Sequence, residues 1–217
     1  MANDCWNFMG VTGDKDTIRT IMAKIDLMTD KEGVFETLIG IDLAIPRNDM
    51  WTYNYERYGC RSDINNYDFD IDENCDNTDD EDEWGFSVNF TTPWTPPVNF
   101  YLELSRMYQV EVEYTGEECG DNIYRRGLIR NGEVIEDFDW TYDEGQYYEN
   151  NDYFWESLQD YGLEYIYDEF FDEEKPDDDK VALAYIENKY CFVNETDMEE
   201  IKSLYKSYKD EQLSSAN

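Results

Sequence analysis

The stretch WGFSVNFTTPWTPPVNFYLELSRMYQVEVEY, residues 84–114, carries three successive periodicities. Phe86, Val88 and Phe90 alternate with small or polar residues, the period-two pattern of a half-buried strand. Thr95 stands before Pro96-Pro97, a side-chain cap followed by prolines that a first helical turn tolerates. Pro97, Phe100, Tyr101, Leu104, Met107 and Tyr108 recur at helical spacing. Val110, Val112 and Tyr114 then return to alternation.

Upstream, residues 5–12 read as a first strand, and Asp14 is placed to cap a helix carrying Ile18, Ile21, Met22 and Ile25. Residues 29–83 are less regular, and 68–83 hold ten acids and no base, which reads as a solvated loop. Downstream, Leu128 to Val134 surround Asn131-Gly132, a strong hairpin signal. A helix is expected from residue 151, with Phe154, Leu158, Tyr161 and Tyr165 as its apolar stripe. Residues 181–186 and 190–193 read as a last hairpin with Asn188-Lys189 near its turn. A final helix follows, opened by the capping box Thr196-x-x-Glu199 and striped by Ile201, Leu204, Tyr205 and Tyr208. Its Lys202, Lys206 and Lys209 are expected toward its C-terminus, where the helix dipole favours cations. The order of elements indicates an α+β fold with a mainly antiparallel sheet and helices packed on one face. The expected organisation is a core over residues 1–130, with the acidic loop at 68–83, and an acidic, aromatic-rich α+β extension over 131–217 packed on it.

Composition narrows function. The chain has 217 residues, 53 acidic, 17 basic and no histidine, a formal charge of −36. Aromatic residues make up 17%, which separates it from disordered acidic tails. Without histidine a Ser-His-Asp triad and His-ligated zinc are impossible. Phosphate contact depends on Lys and Arg, so direct binding to nucleic acid or to an anionic membrane is not expected. The charge points to a basic partner or to cations. The N-terminus has neither a basic region nor an apolar run, so no secretory signal is expected, and no stretch approaches a membrane span. Five scattered cysteines (Cys5, Cys60, Cys75, Cys119, Cys191) fit reduced thiols better than a disulfide framework.

Several motifs fall in a recognisable order: Cys5-Trp6-Asn7, Val11-Thr12-Gly13, Trp84-Gly85, the run from Phe90 to Pro97, Glu113-Tyr114, Gly116 and Cys119-Gly120. Over roughly residues 3–28 and 84–120 the chain resembles a family of phage- and plasmid-borne proteins with a ferredoxin-like domain and no assigned activity. In that family a Trp-Cys-Glu-Asn segment leads the first strand, and a Thr-x-Trp-x-Pro-Pro segment opens a helix. Here the first pair is reversed to Cys5-Trp6, and Phe86 stands where the family has Thr. The resemblance implies a ferredoxin-like fold, a mobile-element origin and action in the cytoplasm of an infected bacterium. It supplies no catalytic residues.

The most distinctive constellation lies further on. Asp152, Glu156, Asp160, Glu164 and Asp168 repeat every four residues. Like charges at this spacing destabilise a helix by about 0.2–0.5 kcal/mol per pair. No lysine at the same spacing relieves them. Glu136, Asp137, Asp139, Asp143, Glu144, Glu149, Asp172, Glu173 and Glu174 extend the acidity, with Tyr147 and Tyr148 expected at the surface among them. A solvated outer face is the plain reading of such a row. The sharper reading is that its carboxylates stand in for phosphates, making the protein a phage-encoded nucleic-acid mimic. It would occupy the basic groove of a host defence enzyme such as a restriction enzyme, CRISPR effector or repair nuclease. A different class, an acidic adaptor binding a host protein through an aromatic patch, is the alternative. A homodimer would lengthen the charged surface, although nothing in the sequence marks its interface. Asp68, Asp70 and Asp72 begin a calcium-loop pattern, but Glu73 replaces its glycine and Asp79 its final Glu. No metal or cofactor is expected. With so many acids a catalytic carboxylate pair has no specificity, and Gly10-Val11-Thr12-Gly13 reads as a strand end rather than a phosphate loop. A binding protein is expected rather than an enzyme.

Overall fold

The alternation at the N-terminus becomes β1 (Asp4–Asp14), with Cys5, Asn7, Met9 and Val11 buried and Trp6 and Phe8 exposed on the opposite face. These positions come from a computed structural model that describes residues 3–29, 32–47, 49–64, 70–72, 83–120, 122–170 and 179–215. They fall into two compact units, Met1–Tyr142 and Asp143–Asn217.

Asp14 ends β1 and caps α1 (Lys15–Asp26), its Oδ1 accepting from the amides of Asp16 at 3.1 Å and Thr17 at 3.0 Å. Ile18, Ile21 and Ile25 turn to the core. Two short helices, α2 (Val34–Ile39) and α3 (Met50–Tyr58), follow in the stretch that looked irregular. β2 (Asp70–Asp72) and β3 (Glu83–Pro93) lead to α4 (Val98–Tyr108) and β4 (Glu111–Glu118). β5 (Ile123–Arg130) and β6 (Glu133–Trp140) are joined at Asn131 (φ +52°) and Gly132 (φ +80°), a two-residue turn of the kind that needs left-handed backbone.

All strand pairs are antiparallel, in the order β2-β3-β1-β4-β5-β6. The first four positions are the ferredoxin-like order: β1-α1-β2 and β3-α4-β4 interleave so that β1 lies between β3 and β4. The fold is ferredoxin-like, α+β, with β5 and β6 added as a meander. Phe35 of α2 stacks on Phe100 of α4 at 4.2 Å, and Tyr101 stacks on Tyr114 of β4 at 4.8 Å. Burying each such side chain contributes about 1.5–3 kcal/mol.

Several expectations change. α4 begins after Pro97, and Thr95 does not cap it; its hydroxyl donates to the Gly59 carbonyl at 3.1 Å. Met107 is exposed because the apolar face there needs only Phe100, Tyr101 and Leu104. The break between units falls after Tyr142 rather than at residue 131, because β6 is hydrogen-bonded along β5.

The described residues of the second unit are helical: α5 (Tyr142–Glu149, which begins at the boundary), α6 (Asn151–Ser157), one π turn (Leu158–Gly162), α7 (Leu163–Phe170), α8 (Asp179–Lys189) and α9 (Glu195–Ser215). The expected last hairpin is instead α8 and the turn after it. Ala182, Ile186 and Tyr190 are buried at a spacing of four, a helical face that a short apolar run disguises. Asn194, not Thr196, caps α9, with its Oδ1 accepting from the Asp197 amide at 3.0 Å. α9 runs on to Ser215, so Lys202 lies mid-helix, bridging Glu187 at 2.7 Å and Glu199 at 2.9 Å, and the last turn has no cation.

Candidate partner-binding surface

The acid row stands on α6, the π turn and α7. Asp152, Glu156, Asp160, Glu164 and Asp168 are all exposed, and none forms an ion pair with a described residue. The π turn decides their arrangement. In an unbroken α-helix each four-residue step drifts about 40°, so four steps would spread the row over about 160°. The turn closes with the Leu163 amide on the Leu158 carbonyl, one residue longer than an α turn. It takes back about 100° of that drift and leaves the acids within about 60°. Spaced about 6 Å apart along the axis, the carboxylates fall near every second phosphate of a strand, about 7 Å.

The same turn overturns the expected apolar stripe. Phe154, Leu158, Leu163 and Ile166 are buried, at spacings of four, five and three. Tyr161 and Tyr165 are 71% and 55% exposed, and with Tyr153 they interleave the acids. Lys189 lies over the Tyr165 ring at 5.7 Å. Tyr208, packed on Tyr167, has its hydroxyl pKa raised by burial and then by Glu164 and Asp168.

The other expected site residues divide. Tyr147 is not on the surface. It lies in the core of the second unit, where its hydroxyl donates to Asp197 Oδ2 at 2.6 Å and accepts from Asn194 Nδ2 at 2.9 Å. Tyr148 is exposed, its hydroxyl donating to the Phe192 carbonyl. Asp143 faces Lys189 at 3.7 Å, Glu144 is half-buried and Glu149 is exposed. Glu136 and Asp139 are exposed on β6, in the first unit, so the row does not include them. Asp137 is held by Arg125 and is part of the sheet's own bonding. Asp172, Glu173 and Glu174 lie outside the described residues, as does most of the calcium-loop pattern; Asp70 and Asp72 belong to strand β2. Among the described residues no group of three or more Cys, Asp or Glu is placed to hold a metal ion. No described helix is long and apolar enough to cross a membrane.

Sequence reasoning missed a second surface. On the face of the sheet turned away from α1 and α4, Trp6 and Phe8 line a depression of about 520 Å³ with Asn89, Thr91, Thr115 and Glu117. The two-residue spacing of Trp6 and Phe8 on a strand whose other face is Cys5, Asn7 and Met9 was the available signal.

Residues 66–156 match the ferredoxin-like domain in Api92-like protein. The matched segment runs from β2 into α6, covering the Trp84–Gly120 half of the resemblance, and ends at Glu156, so Asp160, Glu164 and Asp168 lie beyond the match. The crystal structure of the protein Api92 from Yersinia pseudotuberculosis aligns at 10% identity and a TM-score of 0.33, covering 64% of this chain and 98% of that one. No curated protein matches the chain. The Api92-like family is one of unassigned activity.

Proposed function

We propose that the chain is a binding protein that presents carboxylates in place of nucleic-acid phosphates to a basic groove of a nucleic-acid-binding enzyme. One observation carries this reading: five exposed acids, drawn to one side of the α6–α7 rod by the π turn, at close to twice the phosphate repeat. Such a row lowers helix stability, and each step could have been relieved by one lysine. The formal charge of −36 adds long-range steering toward a cationic groove, so association is fast and weakens with salt. Inhibition of a host defence enzyme by a phage-encoded mimic is the form of this function that the sequence suggests.

The test is capture from bacterial lysate at low and high salt, with the wild-type chain and with Asp152, Glu156, Asp160 and Glu164 changed to Lys. A nucleic-acid enzyme held by the wild type, lost from the variant and displaced by duplex DNA supports mimicry. Retention of the same partner by a folded variant refutes it. A partner indifferent to DNA but lost on changing Tyr153 and Tyr161 to Ala would make the surface an aromatic adaptor instead.

A further inference from the structure

β6 (Glu133–Trp140) is the last strand of the sheet. β5 bonds along one side of it, and among the described residues no backbone group hydrogen-bonds to the other side of residues 133–139. The interior strands β1 and β4 bury alternate residues, whereas β6 buries none from Glu133 to Asp139. Val134, Ile135 and Phe138 are among the exposed ones. An open strand edge that also exposes apolar side chains is a template for one more strand.

Its charge restricts what that strand can be. Four of the eight residues of β6 are acids. Asp137 is held by Arg125, but Glu133 and Glu136 form no ion pair with a described residue. Arg130, opposite Glu133, is paired with Glu111, and Arg126, opposite Phe138, already has a partner. β5 therefore leaves both glutamates of the edge unneutralised. The register between the two strands shifts at Ile135, the one residue of β6 that pairs with nothing on β5. Residues 136–140 pair one for one with 124–128, so the bulge confines an added strand to that regular part.

We propose that the β6 edge accepts an extended, lysine- or arginine-bearing segment of a protein partner as a seventh strand, bonded along residues 136–139 with its cations beside Glu136 and Glu133. Main-chain hydrogen bonds supply the grip, and the acids select the charge of the segment. A second copy of this chain fits poorly. Pairing about a two-fold axis at any of residues 136 to 139 sets an acid opposite an acid, as Asp137 against Asp139 when the axis lies at Phe138. The edge lies in the first unit and does not rest on the acid row.

The probe is the peptide Ac-Thr-Lys-Val-Arg-Val-Lys-Thr-NH2, titrated into the full chain by calorimetry in about 0.15 M NaCl. The control, Ac-Thr-Lys-Pro-Arg-Pro-Lys-Thr-NH2, has the same charge but lacks the N–H groups that a ladder needs. The valine peptide binds about fivefold tighter or more, and it slows amide exchange in residues 133–140. Changing Glu133 and Glu136 to Gln weakens its binding about threefold, whereas Asp160→Lys with Glu164→Lys, a larger change in total charge, leaves it within about twofold. Both glutamates are exposed and unpaired, so the Gln variant keeps its thermal midpoint. Equal binding of the two peptides overturns the proposal, since bulk charge then holds them. Equal binding by wild type and the Gln variant, or no binding of the valine peptide at ~1 mM, also overturns it. Protected β6 amides in the unliganded chain, together with a dimer mass by light scattering, overturn it in favour of a second copy.

Discussion

Arg125 of β5 grips Asp137 of β6 through both carboxylate oxygens, Nε to Oδ1 at 3.0 Å and Nη2 to Oδ2 at 2.8 Å. The Tyr114 hydroxyl donates to the same Oδ1 at 3.1 Å from β4, so one carboxylate ties three strands. Gly127 makes room for it, since a Cβ there would lie 2.5 Å from Tyr114 Cζ. An acid that the composition counts among a charged surface thus serves the sheet.

The Asp137 carboxyl is held below the usual carboxylate range, first by the Arg125 hydrogen bond. A carboxylate depressed in the folded state adds stability above its unfolded value of about 4, and that contribution disappears as pH falls through the lower folded value. Asp137→Asn is expected to cost about 1 kcal/mol at pH 7, a modest figure because both partners are partly exposed. Denaturant unfolding at pH 7 and pH 3 checks it: the difference between wild type and variant should shrink at the lower pH.

The acid row should cost stability where it serves binding. Glu164 repels Asp168 one turn on, so Glu164→Gln is expected to stabilise the second unit by about 0.2–0.5 kcal/mol at low salt, with the gain fading at high salt. Thermal unfolding at two ionic strengths measures this. An unchanged midpoint at low salt would mean that solvent already screens the row.

The thiols should divide by burial. Cys5 and Cys60 are buried and their pKa values are pushed up to about 12, in both cases chiefly by loss of solvation. Little reactive thiolate exists at pH 8, so maleimide should label them only after unfolding. Cys119 and Cys191 are exposed and should react in the native protein. Timed labelling with peptide mapping reads the order directly.

What the sequence made legible was local. β1, α1 with its Asp14 cap, β3, β4 and the Asn131-Gly132 turn each follow from periodicity or from backbone that few residues adopt. α2 and α3 escaped because six and nine residues are too short to establish a helical period. α8 passed for a hairpin because the run from Val181 to Ile186 is apolar with one exposed edge. The row of five acids was visible as spacing, and so was its cost. Its direction was not, since a 3.6-residue rule places Tyr161 where Leu163 packs. Asp137 and Tyr147 were misjudged for one reason: their partners, Arg125 and Asp197, are brought to them by strand register and helix packing.

The π turn at Leu158–Gly162 separates what the rod contains from how it displays it. Tightening it to an ordinary α turn with no residue lost would leave every side chain and the whole charge in the protein. It would rotate Glu164 and Asp168 by about 100° around the axis, away from Asp152 and Glu156. The hydrogen-bond register of this one turn therefore acts as a phase control, able to change which partners recognise the surface while its chemical content stays fixed.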